Sequence, residues 1–371
     1  MEQNMIMASE NYRELDEYIK ENKAKTILLV CDVALPFLKI NQYFDNLEER
    51  LNVKVVKFDD FKPNPQYESV VAGVEVFKKN NCDLIMAVGG GSCIDVAKCI
   101  KLYSNMDPNK NYLKQEIVPN NVKLLAVPTT AGTGSEATRY AAIYYQGAKQ
   151  SVTDYSAIPS TVIVDASVLK TLPEYQKKAT MMDALCHAVE SYWSVNSTEE
   201  SYEYSKQAIK LIVENKDGYL ANDDAGCANM LHAANLGGKA INITQTTAGH
   251  AMCYKLTSLY GIAHGHAAAL CVSNLWPYMI QHTDKCIDPR GEDYLKGIFV
   301  KIADAMGCNT VEKGIEVFQK IVDDLRLEAP EVKDAGDYDI LKTSVNPVRL
   351  KNFPVQLDEE AIDWLYHRIL S

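Results

Sequence analysis

The sequence predicts an α/β domain built on a doubly wound parallel sheet at residues 1–172, followed by an all-α domain at residues 173–371. Two domains are expected because 371 residues exceed the length at which one hydrophobic core usually keeps growing. In the first part, short apolar runs alternate with helical patterns, which is typical of a parallel sheet with crossover helices. From Pro173 onward, long amphipathic segments with few β-branched runs indicate helices alone.

Continuous apolar runs are typical of parallel strands that are buried on both faces. They predict strands at 26–31, 53–58, 83–88, 122–127 and 161–164, and a further strand is expected at 139–145. Helical patterns between them predict helices at about 10–23, 68–80 and 94–103.

Composition excludes several classes of function. The net charge of −11 and the pI near 5.2 argue against a surface that binds nucleic acid. The N-terminus lacks a basic segment followed by an apolar one, and no stretch approaches 18 uninterrupted apolar residues, so we expect no signal peptide and no membrane span. The ten cysteines include no C-x-x-C pair, which favours reduced thiols and a cytoplasmic location.

Two loops at the ends of predicted strands suit a nucleotide. Glycines let the backbone approach a diphosphate, and the helix that follows presents free N–H groups. The first loop contributes Gly89, Gly90, Gly91, Ser92 and Asp95, and the second, 128–136, contributes hydroxyls from Thr129, Thr130, Thr133 and Ser135. Glycine at a strand-to-helix turn can equally serve turn geometry alone, and the pair of loops at neighbouring strand ends favours a nucleotide.

Asp32 closes the first long apolar strand, where a carboxylate can accept hydrogen bonds from an adenosine ribose. The same charge would repel a 2′-phosphate, so Asp32 favours NAD(H) over NADP(H). The alternative is an ordinary aspartate at a surface turn. The glycine loop is not G-x-G-x-x-G, so the usual dinucleotide fingerprint does not apply.

Four residues of the second part form a candidate metal site. Asp183 and His187 lie four apart on a predicted helix and therefore share one face. His250 and His264 stand fourteen residues apart, close to a whole number of helical turns. One carboxylate and three imidazoles suit Fe(II) or Zn(II) rather than magnesium or calcium. A histidine on an apolar helix is otherwise most often a satisfied core residue.

The chain resembles the iron-containing (group III) alcohol dehydrogenases over nearly its whole length. The similarity rests on GGGS-x-x-D-x-AK at 89–98, PTTAGTGSE at 128–136, DAL-x-HA-x-E at 183–190 and the 250/264 histidine pair, in that order. The resemblance implies a Rossmann-like N-terminal domain and a helical C-terminal domain, the architecture that dehydroquinate synthase shares. It also implies an interdomain cleft in which the nicotinamide meets an alcohol or aldehyde at the metal, and a homodimer.

The resemblance assigns roles to individual residues. It implies that Asp183, His187, His250 and His264 hold the ion, and that the two loops contact the pyrophosphate and the nicotinamide ribose. Asp32 matches the carboxylate that meets the adenosine ribose, Asn64 the turn beside it, and Lys149 a lysine placed near the cofactor. Many members carry a further histidine four residues after the third ligand, where this chain has Tyr254. A phenol is a poor base at neutral pH, which puts proton relay at this position in doubt.

The substrate is predicted to be a small alcohol or aldehyde. The segment 254–261 resembles the phosphonoacetaldehyde reductase branch, and Arg139, Lys149 and Lys255 lie in or beside the motifs. Arg139 and Lys255 are therefore candidates to hold a phosphonate, with reduction of phosphonoacetaldehyde to 2-hydroxyethylphosphonate as the expected reaction.

Three alternatives remain open. The first is a general short-chain alcohol, butanol or diol dehydrogenase, in which these cations are solvated or face the cofactor. The second is a metal- and NAD-dependent cyclase similar to dehydroquinate synthase, which would consume no net NADH. The third is a binding protein without catalysis.

Overall fold

The computed structural model describes residues 3–370, which divide into two compact units. The first unit comprises the chain up to Leu172 together with residues 222–231, and the second comprises residues 173–221 and the chain from His232 onward.

The first unit is built on a six-stranded sheet in which every strand pairs in parallel with its neighbours. The strands are β1 (Asn4–Met7), β2 (Thr26–Cys31), β3 (Lys54–Phe58), β4 (Leu84–Gly89), β5 (Lys123–Pro128) and β8 (Thr161–Val164), in the spatial order β1-β8-β5-β4-β2-β3. This confirms the predicted α/β fold class. The chain passes from β3 to β4 across β2, so the order reverses between β2 and β4, where ligands of such sheets usually bind.

The apolar pattern of the sequence explains how one helix of the first unit packs on the sheet. The helices of this unit are α1 (Arg13–Glu21), α2 (Asn41–Phe44), α3 (Leu47–Leu51), α4 (Tyr67–Lys79) and α5 (Gly91–Tyr103). Val70, Val74 and Phe77 of α4 recur at intervals of four and three, and all three are buried against the sheet in one apolar core. The helix α5 begins at Gly91, inside the glycine loop, three residues earlier than the sequence predicts.

One predicted strand lies outside the main sheet, and two others, β1 and the second strand of a hairpin, were not predicted. The segment expected at 139–145 is a strand, β6 (Tyr140–Tyr145), but it pairs antiparallel with β7 (Ala148–Thr153) in a separate hairpin. Gln146 and Gly147 at the turn both have positive φ, which suits the tight reversal of a hairpin. The edge strand β1 was not predicted, because four residues with Asn4 and Met7 exposed carry little apolar signal.

The second unit consists almost entirely of helices, as predicted. They are α6 (Glu174–Trp193), α7 (Glu199–Leu220), α8 (Asp224–Thr244), which begins in the first unit, α9 (Ala248–Tyr260), α10 (His264–Gln281), α11 (Glu292–Ala305), α12 (Val311–Asp324), α13 (Asp337–Thr343), α14 (Pro347–Leu350) and α15 (Glu359–Ile369). Within residues 3–370, no helix has both the length and the apolar character that crossing a membrane requires. All ten cysteines lie in this range, and no disulfide joins them.

Two helical glycines provide a matched test of packing. A Cβ at Gly73 of α4 would overlap Ile100 and lie 3.0 Å from Phe58 Cε1, whereas a Cβ at Gly297 of α11 meets nothing within 4 Å. We expect Gly73→Ala to lower the free energy of unfolding by about 1–3 kcal/mol through overpacking. Gly297→Ala should raise it by about 0.5–1 kcal/mol, because alanine is the better helix former. Denaturant unfolding of both variants measures the difference, and equal effects would contradict this packing.

Candidate metal centre and nucleotide-binding loops

The helix α6 carries two of the four candidate metal ligands in its buried half. Every residue from Met181 to Ser194 is buried, so Asp183 and His187 reach the interior of the second unit together. Their spacing of four places both on one face, as predicted. The helix α10 can approach α6 because Gly265 has no side chain: a Cβ there would overlap the carbonyl oxygen of Ala179 and lie 2.7 Å from Asp183 Cβ.

His250 and His264 come from two different helices. His250 lies in the first turn of α9, Gly261 ends that helix with a φ of 72°, and His264 is the first residue of α10. The expectation from whole helical turns is therefore wrong in its reasoning, because no continuous helix joins the two residues. They meet because the chain turns back between α9 and α10.

The three imidazoles converge on one oxygen atom. The Nε2 atoms of His250, His187 and His264 lie 3.4, 3.9 and 4.0 Å from Asp183 Oδ1. The rings of His187 and His250 stack with centroids 4.4 Å apart. Ligand atoms of Asp183, His187 and His250 all lie within 4.8 Å of one another, a spacing that suits one metal ion.

The electrostatics of the cluster are those of a cation site. Burial opposes ionisation of Asp183, but the neighbouring imidazoles outweigh it and hold the pKa of the carboxyl well below its usual range. Burial also lowers the pKa of His250, yet the carboxylates of Glu190 and Asp183 outweigh it and raise that pKa to about 10. The two buried carboxylates thus favour a positive charge on His250, and a divalent ion would displace a proton from this imidazole.

Glu190 is a site residue that the sequence prediction missed. Its carboxylate is fully buried and accepts a hydrogen bond from His250 Nδ1. It lies seven residues after Asp183, a signal that could have suggested a shared face of α6.

Tyr254 and Cys253 adjoin His264. The ring of Tyr254 stacks on the imidazole of His264 with centroids 5.3 Å apart. Cys253 Sγ lies 3.5 Å from His264 Nδ1 and 3.4 Å from the carbonyl oxygen of His250. The side chain of His264 is 36% exposed while that of Asp183 is 4% exposed, so the cluster is accessible from the side of His264 and Tyr254.

His266 does not join the cluster. It accepts a hydrogen bond from Tyr175 at 3.0 Å and donates one to the carbonyl oxygen of Glu328 at 2.9 Å. The Tyr175 hydroxyl in turn accepts a hydrogen bond from the backbone N–H of Ala263, the residue before α10. These contacts hold the start of α10, from which His264 projects.

In the first unit, Asp32 and the glycine loop meet at the reversal of strand order. Asp32 follows β2 and Gly90 follows β4, and the Gly90 N–H lies 3.4 Å from Asp32 Oδ2. Asp32 Oδ1 accepts a hydrogen bond from Ala34 N at 3.0 Å. The carboxylate is half-buried, and a Cβ at Gly89 would lie 2.9 Å from it.

The threonine-rich loop packs directly on the glycine loop. A Cβ at Gly90 would lie 3.3 Å from Thr130 Cγ2, and one at Gly91 would lie 2.8 Å from Thr133 Oγ1. Thr129 is buried and donates its backbone N–H to the carbonyl oxygen of Gly89 at 3.1 Å. The structure thus brings these two predicted loops together, and the glycines make room for the threonines.

Asp95 and Ser135 join the loops in a buried network. Asp95 accepts hydrogen bonds from Ser135 Oγ at 2.6 Å and from Ala142 N at 3.0 Å. The ammonium group of Lys98, which is fully buried, donates to Ser135 Oγ and to the carbonyl oxygens of Thr138 and Tyr140. Burial lowers the pKa of Lys98 to about 8. This network fixes α5 to the threonine-rich loop and to β6.

The structure places the remaining predicted residues on several elements, and the charge of Lys149 acts on the buried carboxyl of Asp95. Asn64 is exposed at a turn with a φ of 59°, Ser92 is half-buried in the first turn of α5, and Lys149 is exposed on β7. Arg139 donates hydrogen bonds to the hydroxyls of Tyr140 and Tyr155, each at 2.6 Å. Lys255 is half-buried on α9, next to Tyr254.

Substituting two glycines tests the close packing around α6. We expect Gly265→Ala to lower the free energy of unfolding by about 3 kcal/mol, the upper end of overpacking costs, and to lower the Zn(II) content per chain. Gly237→Ala is the matched control, because its Cβ would lie 3.3 Å from the carbonyl oxygen of Ala184 and its effect should stay within about 1 kcal/mol. Denaturant unfolding and metal analysis provide the measurements. Normal Zn(II) content and stability in Gly265→Ala would contradict the packing described.

Family models match both parts of the chain. The iron-containing alcohol dehydrogenase model matches residues 3–166, and the C-terminal model of the Fe-containing alcohol dehydrogenase family matches residues 177–366.

Curated relatives agree with the family models. An aldehyde-alcohol dehydrogenase of Entamoeba histolytica is 30% identical over 77% of this chain, which spans 35% of that relative's length. A 1,3-propanediol dehydrogenase of Citrobacter freundii is 33% identical over 77% of this chain and 73% of its own. A phosphonoacetaldehyde reductase of Streptomyces viridochromogenes is 29% identical over 80% and 78% of the two chains.

Solved structures share the fold over nearly the full chain. An alcohol dehydrogenase from Oenococcus oeni matches with a TM-score of 0.86 and 26% identity, covering 99% of this chain and 98% of its own. A sulfoacetaldehyde reductase from Bifidobacterium kashiwanohense in complex with NAD+ matches with a TM-score of 0.86 and 23% identity, covering 100% and 97%. Together with the family models, these similarities show that the chain belongs to the iron-containing alcohol dehydrogenase family.

Proposed function

We propose that the protein is a metal-dependent alcohol dehydrogenase or aldehyde reductase that transfers hydride between a nicotinamide cofactor and a small alcohol or aldehyde. The observation that carries this proposal is the convergence of three imidazole Nε2 atoms within 4.0 Å of Asp183 Oδ1. Family membership supports the redox chemistry.

The donor set fits one divalent ion held by Asp183, His187, His250 and His264. Three nitrogen donors and one carboxylate suit Fe(II), with Zn(II) as the alternative, because both accept imidazole and carboxylate together. When bound, such an ion supplies Lewis-acid polarisation of a carbonyl oxygen. The lowered pKa of Asp183 means that this carboxyl is ionised at any ordinary working pH.

The side of the cluster near His264 is where we place the substrate. Tyr254 stacks there on His264, so its ring forms a wall and its phenol can donate a hydrogen bond to a substrate oxygen. In this role Tyr254 orients the substrate, and it need not act as a base. Protonation of the product oxygen then comes from solvent or from a chain of hydroxyls.

The two loops of the first unit are proposed to bind the cofactor. Asp32 and Gly90 meet at the reversal of strand order, where α5 also begins and presents its N-terminal N–H groups to a diphosphate. The negative charge of Asp32 favours NAD(H) over NADP(H). By resemblance to the family, Asn64, Ser92 and Lys149 are assigned to the same cofactor.

We also propose a domain boundary at residue 172, a homodimer and a cytoplasmic location.

The substrate class rests on Lys255 and on one relative. We favour phosphonoacetaldehyde because a relative of 29% identity is a reductase of that compound and Lys255 follows Tyr254 on α9. Arg139 is the second candidate, but two of its N–H groups already donate hydrogen bonds to tyrosine hydroxyls. The proposal for a phosphonate substrate therefore depends more on Lys255. A general short-chain aldehyde or diol is the alternative, and the relative that acts on 1,3-propanediol supports it.

The reaction is tested by NADH oxidation with Fe(II)- or Zn(II)-loaded protein, with phosphonoacetaldehyde and butyraldehyde compared side by side. We expect turnover that a chelator abolishes and that the metal restores. His264→Ala should reduce the rate on the order of a thousandfold, because several kcal/mol of charge stabilisation are lost.

His232→Ala is the matched control, since His232 is an exposed histidine of α8 and its loss should leave turnover unchanged. A preference for the phosphonate that Lys255→Ala removes would support the anionic substrate. Turnover of butyraldehyde alone would assign a general aldehyde, and no NADH consumption with either compound would favour a non-redox enzyme similar to dehydroquinate synthase.

Asp32→Ser tests the choice of cofactor. Removing the carboxylate should raise the ratio of kcat/KM for NADPH over NADH at least about tenfold, or about 1.4 kcal/mol, because like charges no longer face each other. Glu49→Ser removes an exposed carboxylate of α3, which precedes β3 and so lies near the amino ends of the strands, and it should leave this ratio unchanged. An unchanged ratio in Asp32→Ser would remove Asp32 from the cofactor site.

A further inference from the structure

We propose that Glu190 is a positioning residue that holds His250 in its metal-ligating orientation before any ion binds. The proposal rests on the metal site of the proposed function and assigns to Glu190 a role that is separate from ligation. Glu190 lies on α6 with Asp183 and His187, so a single helix would supply two ligands and the support of a third.

The carboxylate of Glu190 is fully buried and collects hydrogen bonds from five donors. Its Oε2 accepts from His250 Nδ1. Its Oε1 accepts from the Thr247 hydroxyl and from the backbone N–H groups of Thr247, Gly249 and His250, the last three at 3.2, 2.8 and 3.4 Å. A buried charge is tolerated only with such partners, so these donors fix the carboxylate in one position.

The same contacts build the start of α9. The first N–H groups of a helix have no partner within it, and Thr247, which precedes α9, makes no side-chain cap. The carboxylate of Glu190, which belongs to α6, caps the start of α9 instead. Its negative charge also complements the positive end of the α9 helix dipole. Because His250 is the third residue of α9, the backbone of this ligand is fixed together with its ring.

Glu190 also decides which nitrogen of His250 faces the cluster. An ionised carboxylate only accepts hydrogen bonds, so Nδ1 carries the proton that is donated to Oε2. Nε2 is then the nitrogen that faces the cluster, 3.4 Å from Asp183 Oδ1, and it becomes the metal donor once an ion displaces its proton. A histidine ligand with this carboxylate partner is a better donor to a metal than one without it.

The surroundings of Glu190 leave space for this one arrangement. A Cβ at Gly249 would lie 2.9 Å from Glu190 Oε1 and 2.7 Å from Val272 Cγ2, so position 249 accommodates the carboxylate only as glycine. The Thr247 hydroxyl that donates to Glu190 accepts a hydrogen bond from Trp193 Nε1 at 2.9 Å. The carboxylate, the threonine and the indole therefore form one rigid chain between α6 and α9.

The test measures Zn(II) affinity by competition with a chromophoric chelator, together with thermal unfolding of the metal-free protein. We expect Glu190→Gln to bind Zn(II) about 10–100-fold more weakly than the wild type at a temperature where its fold is intact. An amide has only one acceptor oxygen, so it cannot satisfy donors on both sides as the carboxylate does.

Asp288→Asn is the matched control. Asp288 is also a buried carboxylate of the second unit and accepts hydrogen bonds from the backbone and side chain of Arg290. Its loss should lower thermal stability and leave the Zn(II) affinity within about threefold of the wild type. If Glu190→Gln does not fold, Glu190→Asp keeps the charge but shortens the reach to His250, and the same loss of affinity is expected.

Wild-type Zn(II) affinity in a folded Glu190→Gln or Glu190→Asp variant would overturn the proposal, as would an equal loss of affinity in Asp288→Asn. A wild-type chain that binds no ion would instead contradict the proposed function and remove the basis for this role of Glu190. The two failures are thus distinguished by the wild-type measurement alone.

Discussion

Two buried carboxylates on one helix, Asp183 and Glu190, impose the constraint on which the second unit depends. A buried charge is costly unless partners of opposite charge or hydrogen-bond donors surround it. Asp183 meets three imidazoles, and Glu190 meets the imidazole of His250 and the first turn of α9. The packing of α9 and α10 on α6 therefore provides what the carboxylates require as well as burying apolar surface.

Glycine is the residue that allows this packing. Gly265 brings α10 onto the backbone of α6 beside Asp183, and Gly249 leaves room for the Glu190 carboxylate. The first unit uses glycine in the same way, since Gly89 makes space for Asp32, and Gly91 for Thr133. At both places a missing side chain lets polar groups from separate elements meet. The glycines of the loop at 89–91 thus have a packing role that stands beside any contact with a nucleotide.

Much of the fold could be predicted because buried parallel strands leave long apolar runs, such as Thr26–Cys31, and these were predicted correctly. The edge strand β1 was missed because it is short and partly exposed, and the strand expected at 139–145 is present as β6, but in a separate hairpin. Local pattern does not specify a partner strand.

The sequence predicted that His250 and His264 belong to one site, but from a helical spacing that does not apply. The two residues meet because the chain turns after Gly261, between two helices. Glu190 was missed because its partners are backbone N–H groups sixty residues away, which the sequence does not display.

The central claim is that Asp183, His187, His250 and His264 form one metal site. X-ray absorption spectroscopy of the Fe(II)- or Zn(II)-loaded protein tests it most directly, because it identifies the atoms bound to the ion. The arrangement predicts nitrogen and oxygen neighbours only, at about 2.0–2.2 Å, with the outer scattering of three imidazoles. A sulfur neighbour at about 2.3 Å, which would implicate a cysteine such as Cys253, or scattering from fewer than three imidazoles, would contradict it.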